Sequence, residues 1–161
     1  MLKLYTIKDE FIDYLRKFDS RVLSNKQGMR PYVGVVYAIN DAKYYVPLMS
    51  PKPKHLTMSN TKDFHKISGG KYGVINFNNM LPVIDEVLIE LDPNKEPDKN
   101  YRLLLQNQYL ELLQIQHILY KKAKAIYSLF LTDSLTKNDE RIKARCCDFL
   151  LLEEKVKDYA R

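Results

Sequence analysis

The segment Ser50-Pro51-Lys52-Pro53-Lys54-His55 carries a hydroxyl, two ammonium groups and an imidazole within six residues. That set suits attack on a phosphodiester. Cleaving RNA without a metal needs three things: a 2′-hydroxyl deprotonated and aimed at phosphorus, cations or donors for the phosphoryl oxygens, and a proton for the leaving 5′-oxygen. Two prolines stiffen the segment toward an extended path. In an extended path Ser50 and Lys52, two apart, share a face. Residue types alone also fit a proline-stiffened surface loop with solvated lysines. His55 is the best general acid/base candidate, because it adjoins Ser50 and Lys52.

A second constellation is Arg30-Pro31-Tyr32. Arginine can clamp a phosphate through two nitrogens, and tyrosine can stack on an unpaired base. The alternative has Tyr32 in the core and Arg30 solvated. His65 falls in an expected strand and can face outward beside the basic loop. His117 falls in the apolar period of a long helix and reads as a packing residue. Lys121-Lys122-Ala123-Lys124 reads as a solvated helix face or an RNA contact. No H-E-x-x-H, P-loop or G-x-G-x-x-G is present, and no metal or cofactor is expected.

Charge points the same way. The 161 residues hold 26 Lys+Arg against 20 Asp+Glu, a formal net charge of +6. The excess is concentrated: residues 21–80 hold 9 basic and 2 acidic side chains, and residues 81–161 hold 13 and 14. Such asymmetry suits a polyanion partner, nucleic acid first, although a solvated basic surface is the simpler alternative. The length suits one domain spanning 1–161. No apolar run is long enough to span a bilayer, and Met1-Leu2-Lys3-Leu4-Tyr5 is not a signal sequence. Cys146 and Cys147 are adjacent, which excludes a disulfide framework and a cysteine-built zinc site and suits a reducing cytoplasm.

The elements that must position these residues follow from periodicity. Leu2–Ile7 predicts a strand, Thr6-x-x-Asp9 a capping box, and 8–18 an amphipathic helix. Tyr32–Ile39 and Lys43–Leu48 predict a hairpin. Phe64–Ile67 and Tyr72–Phe77 predict another around Gly69-Gly70, and Val83–Leu91 a further strand. Tyr101–Leu131 predicts a long helix broken near His117–Lys122, residues 132–147 stay unassigned, and Asp148 caps a last helix. Antiparallel strands followed by helices predict an α+β fold: a compact, strongly twisted, barrel-like antiparallel sheet with surrounding helices, the longer ones in the C-terminal half.

Together these residues resemble the ToxN/AbiQ endoribonuclease toxins of type III toxin–antitoxin systems, within them the CptN-like branch. The resemblance runs through Leu4-Tyr5-Thr6-Ile7, Arg30-Pro31-Tyr32-Val33-Gly34-Val35, Lys43–Leu48, Gly73-Val74-Ile75-Asn76, Met80-Leu81-Pro82 and the closing Leu151–Tyr159. Its most specific part is Pro47-Leu48-Met49-Ser50-Pro51-Lys52, where the family shows a similar P-L-x-S-P-K pattern. The resemblance implies a sheet core similar to Kid/MazF toxins. It also implies metal-independent cleavage of single-stranded RNA to 2′,3′-cyclic phosphate and 5′-hydroxyl ends. The partners would be cellular mRNA and a repetitive antitoxin RNA, cut into pseudoknots that inhibit the toxin and assemble with it into a closed protein–RNA oligomer. Phage defence by abortive infection would be the setting. Ser50 matches the motif serine, Lys52 the motif lysine, and Arg30 a basic position before the glycine-containing strand. These three are the expected catalytic residues. Lys26, Tyr32, Met49, Lys54, His55, His65, Lys66 and Lys71 are expected to contact RNA. Two positions depart from the pattern. Met49 stands where relatives carry Thr or Ser, and residues 20–30 hold no tyrosine, with Lys26 near its expected place. A non-catalytic basic RNA-binding module is the alternative; its mark would be RNA affinity without cleavage.

Overall fold

The computed structural model describes residues 2–161; Met1, the first residue of the N-terminal alternation, lies outside them. Seven strands form one antiparallel sheet: β1 (Lys3–Ile7), β2 (Tyr32–Ile39), β3 (Ala42–Met49), β4 (Phe64–Lys66), β5 (Val74–Asn76), β6 (Leu81–Pro82) and β7 (Leu88–Glu90). Their order is β4-β5-β3-β2-β1-β7, with β6 also on the outer edge of β3. Five helices follow the α+β expectation: α1 (Asp9–Arg16), α2 (Lys99–Gln114), α3 (Gln116–Ser128), α4 (Lys137–Arg145) and α5 (Phe149–Tyr159). None is long and apolar enough to cross a membrane.

Both expected hairpins form, β2–β3 and β4–β5. The β2–β3 register shifts between Gly34 and Tyr37, and a bulge of that kind sharpens the local twist. Gly34 allows it, since a Cβ there would stand 2.3 Å from the Tyr45 ring. The sheet curls without closing. In a flat sheet β6 and β7 would lie about 19 Å apart, four strand spacings of about 4.8 Å. The link Val83–Val87 contains a 3-10 turn at Asp85–Val87 and reaches only about 16 Å. The two edges must therefore bend toward each other.

This link also corrects the strand expected over Val83–Leu91. Val83 only continues the β6 edge of β3, its amide donating to the Lys43 carbonyl at 3.0 Å, whereas Leu88–Glu90 pairs with β1. β3 and β1 flank β2 on opposite sides, so no single straight strand can serve both. The capping box is absent as well. The N-cap of α1 is Lys8, with no side-chain cap, and the Asp9 carboxylate accepts instead from Asn25 Nδ2 at 2.7 Å. The long C-terminal helix breaks at Ile115, earlier than expected, where the amide is shared between the Glu111 and Leu112 carbonyls. His117 is exposed, not packed: it opens α3 on the solvent side. Helix α4 occupies the unassigned stretch, capped by Thr136, whose Oγ1 accepts from the Asp139 amide at 3.1 Å. Its only buried residue is Ile142, so it has no apolar stripe to read. Asp148 caps α5 as expected, accepting from the Leu151 amide at 3.2 Å.

One continuous core runs from Leu2 to Val156. Where α3 and α5 meet the sheet, Tyr44 and Tyr127 both donate to Glu153 Oε2. That carboxylate fastens the last helix to the β2–β3 hairpin at the end away from Ser50.

Candidate active site

The candidate site forms where three strand ends meet. The Leu48 amide donates to the Pro31 carbonyl at 2.9 Å, extending the β2–β3 ladder past Tyr32–Pro47. Arg30 and Pro31 therefore lie beside Leu48, Met49 and Ser50. On the other flank of β3, Met49 pairs with Val74 of β5. The Arg30 segment and the Ser50 loop, twenty residues apart in sequence, are neighbours through this ladder.

Ser50, Pro51 and Lys52 are exposed, and Lys52 is extended (φ −130°, ψ 152°). The chain then enters a 3-10 turn, Pro53–Leu56, led by Pro53, whose missing N–H costs a helix start nothing. Two glycines let the β4–β5 connection lie against this loop. A Cβ on Gly73 would stand 2.0 Å from the Met49 carbonyl oxygen, and one on Gly70 would stand 2.6 Å from the His55 carbonyl oxygen. Sequence reasoning marked a turn here but missed this close approach. It also missed Asn76, whose Nδ2 donates to Met49 Sδ at 3.2 Å.

Arg30 is 7% exposed. Its Nε donates to the Ser24 carbonyl at 2.8 Å, and no carboxylate pairs with it among the described residues. Burial lowers its pKa, as expected for a desolvated cation. The basic excess sorts by location. Arg21, Lys43 and Lys62 have acidic partners in Asp19, Asp85 and Asp139. Lys26, Lys52, Lys54, Lys66 and Lys71 have none among the described residues. Lys26, Lys54 and Lys71 are exposed and Lys66 is half-buried.

Three expected RNA contacts need correction. Tyr32 is fully buried between Tyr5 and Pro47, so no base can stack on it. Burial also raises its pKa, and its hydroxyl has no partner among the described residues. Tyr32→Phe is therefore expected to leave RNA affinity unchanged and to raise stability by up to about 1 kcal/mol, because it removes a buried, unpaired polar group. Thermal melts and gel shifts check this. His55 also points inward, 2% exposed. Its Nδ1 accepts from the Lys52 amide at 3.0 Å, which commits that nitrogen. His65 is half-buried, its Nδ1 unpaired in the interior. Burial, with Lys122 nearby, pushes its pKa down to about 4, so at neutral pH it adds no positive charge. Met49 is half-buried.

Of the basic run on α3, Lys122 is committed to the fold: its Nζ donates to the Thr61 and Phe64 carbonyls at 2.9 and 3.1 Å. Nearby, Asp63 forms a two-point pair with Arg145 at 2.8 and 2.9 Å and accepts from Thr61 and Asn78. Burial alone would raise the Asp63 pKa; the Arg145 hydrogen bonds outweigh it and hold the carboxyl below its usual 3.8. Its stabilising contribution is thus complete above that value and lost as pH falls through the lower native one. Asp63→Asn is expected to cost about 1–3 kcal/mol at neutral pH, with the gap to wild type narrowing below pH 3.8. Denaturant melts across pH check both parts. No group of three or more His, Cys, Asp or Glu among the described residues could hold a metal ion.

With the geometry in place, comparison with known proteins is specific. The family described as toxin ToxN of type III toxin–antitoxin systems matches residues 3–157. The chain is 35% identical over 162 residues to endoribonuclease ToxN of Bacillus thuringiensis subsp. kurstaki, covering 98% of this chain and 84% of that protein. It is 30% identical over 171 residues to endoribonuclease AbiQ of Lactococcus lactis subsp. lactis, covering 99% and 90%. Among solved structures, a type III toxin selectively inhibited by a non-coding RNA pseudoknot superposes with a TM-score of 0.88 at 34% identity, covering 99% of this chain and 98% of that one. AbiQ, a lactococcal anti-phage endoribonuclease, superposes with a TM-score of 0.81 at 29% identity, covering the same shares.

Proposed function

This chain belongs to the ToxN toxin family of type III toxin–antitoxin systems, and from that membership and the site geometry we propose that it is an endoribonuclease whose reaction is centred on Ser50, Lys52 and Arg30. The observation that carries this reading is Arg30: a buried guanidinium with no carboxylate partner among the described residues, on a segment whose backbone pairs with the end of the strand that leads into the exposed Ser50 and Lys52. A buried cation needs a counter-charge, and an RNA phosphodiester brought to Ser50 supplies one.

In the proposed reaction Ser50 orients the 2′-hydroxyl for in-line attack. The 2′-oxygen–phosphorus bond forms, the bond to the 5′-oxygen breaks, and the products carry a cyclic phosphate and a 5′-hydroxyl. The proton lost by the 2′-oxygen leaves through the serine hydroxyl and solvent; the one gained by the 5′-oxygen comes from the Lys52 ammonium. Lys52 and Arg30 stabilise charge on the phosphoryl oxygens, an effect that usually outweighs proton transfer. Lys26, Lys54, Lys66 and Lys71 track the RNA backbone. The related toxin inhibited by an RNA pseudoknot supports a repeat-derived antitoxin RNA as inhibitor, assembling with this chain into a closed complex, and AbiQ supports a role in phage defence. All of 1–161 acts as one such unit, in a reducing cytoplasm that suits the two free, buried cysteines. The test is to incubate the protein with mixed RNA in EDTA and map fragment ends. Discrete cuts with cyclic-phosphate and 5′-hydroxyl ends are expected; RNA that is bound but intact would overturn the reading.

A further inference from the structure

His55 is not in a position to exchange protons with RNA, yet it holds the residue that is. The Lys52 amide donates to His55 Nδ1 at 3.0 Å, and the His55 amide donates to the Lys52 carbonyl at 2.9 Å. Both backbone polar groups of Lys52 are thus held by one residue. The imidazole is itself walled in. Gly70 lies against the His55 backbone, where a Cβ would come within 2.6 Å of the carbonyl oxygen, and the Phe64 ring centroid is 6.3 Å from that of the imidazole, which is 2% exposed. We infer that His55 is a positioning residue: its neutral imidazole accepts from the Lys52 amide and so aims the Lys52 side chain at the reacting phosphate.

This rests on the reading of Lys52 as the cation of the site. The clamp works only with Nδ1 unprotonated. A proton there would set a donor against the Lys52 N–H and release the loop. The charged neighbours on its own turn are Lys52 and Lys54; the adjoining strand β4 brings His65 and Lys66, and the packed turn Ile67–Gly70 brings no ionisable group. Burial first, then Lys54 and Lys52, lower the His55 pKa from its usual 6.5, which keeps the acceptor available at neutral pH. Activity should therefore fall on the acid side, as His55 is protonated below that value.

The test uses the full chain and a defined single-stranded RNA, with single-turnover cleavage followed from about pH 5 to about pH 8. His55→Ala is expected to lower the cleavage rate about a hundredfold with little change in RNA affinity. His55→Asn, which returns an acceptor near the Nδ1 position, is expected to recover most of that loss and to lose the acid limb. Imidazole nitrogen resonances are expected to show the Nε2–H tautomer, with the Lys52 amide shift titrating together with His55. Lys52→Ala, run in parallel, separates the two readings. If it cleaves like wild type, the site reading fails, while the resonances still decide the clamp. If it is inactive and His55→Ala cleaves normally, the positioning role alone is overturned. That role is likewise overturned if His55→Asn melts like wild type but cleaves no better than His55→Ala, or if Nδ1 carries the proton at neutral pH.

Discussion

Ser50→Ala is expected to lower RNA cleavage by at least about a hundredfold, the scale of losing one group that orients or stabilises the reacting centre. It should also abolish growth arrest and leave antitoxin-RNA binding intact. The side chain does little else. Ser50 is exposed at the end of β3, and its hydroxyl makes no hydrogen bond within the chain among the described residues. Truncating such a side chain changes stability by no more than about 0.5 kcal/mol. A large loss of cleavage with an unchanged melt and unchanged gel shift would thus be a chemical effect. Growth arrest equal to wild type would remove Ser50 from the reaction and leave Lys52 and Arg30 as a phosphate clamp.

The second large effect sits on a residue with no side chain. Gly73 has φ +100°, and a Cβ there would stand 2.0 Å from the Met49 carbonyl oxygen and 3.3 Å from the Pro51 nitrogen. Both neighbours are backbone, so no flexible side chain can move aside. Relieving the clash requires a main-chain shift of about 1 Å in Met49–Pro51, the segment that carries Ser50, and a displacement of that size can cost about a hundredfold in rate. Gly73→Ala is expected to destabilise by about 3 kcal/mol through backbone strain and clash, which for a chain of this length lowers the melting temperature by roughly 6–12 °C. Gly69→Ala is the control. Gly69 also has positive φ, +65°, but a Cβ there would meet no atom within 4 Å; only the left-handed conformation is penalised, at about 1–2 kcal/mol. Equal losses of stability and cleavage in the two variants would mean that the contact with Met49 does not position Ser50.

The elements with strong period were legible before any coordinates. Tyr32–Ile39 is β-branched and aromatic, and its strand has those same ends. Asp148 ahead of Phe149, Leu152 and Val156 is a cap followed by an apolar stripe, and α5 starts there. The Val83–Leu91 run misled because an apolar run records burial but not partner. Val83 is buried and its amide reaches β3 at the Lys43 carbonyl, the turn at Asp85–Val87 then interrupts the run, and Leu88–Glu90 pairs with β1 at the sheet edge, with Ile89 exposed. Helix α4 was invisible for the opposite reason, with Ile142 alone facing the core.

The sequence by itself determined the chemistry on offer. Its charge asymmetry, the proline-flanked Ser50 and Lys52, and the motif shared with ToxN toxins all follow from residue types and spacing, which are local and survive without a fold. What only the tertiary structure decided is which of these groups are buried and which are exposed. In the sequence Arg30, Tyr32 and His55 all read as candidates to meet RNA beside a basic loop, with a core Tyr32 as the alternative. Tyr32 is core, because its strand is paired on both sides and its ring falls on the inner face. His55 is turned in against Gly70 to hold Lys52. Arg30 is buried, yet finds a carbonyl and, among the described residues, no carboxylate. Orientation of that kind is set by contacts between segments far apart in the chain, such as Gly70 on His55 and Gly73 on Met49. Such contacts leave no periodic trace in either segment, so they exist only once the chain has folded.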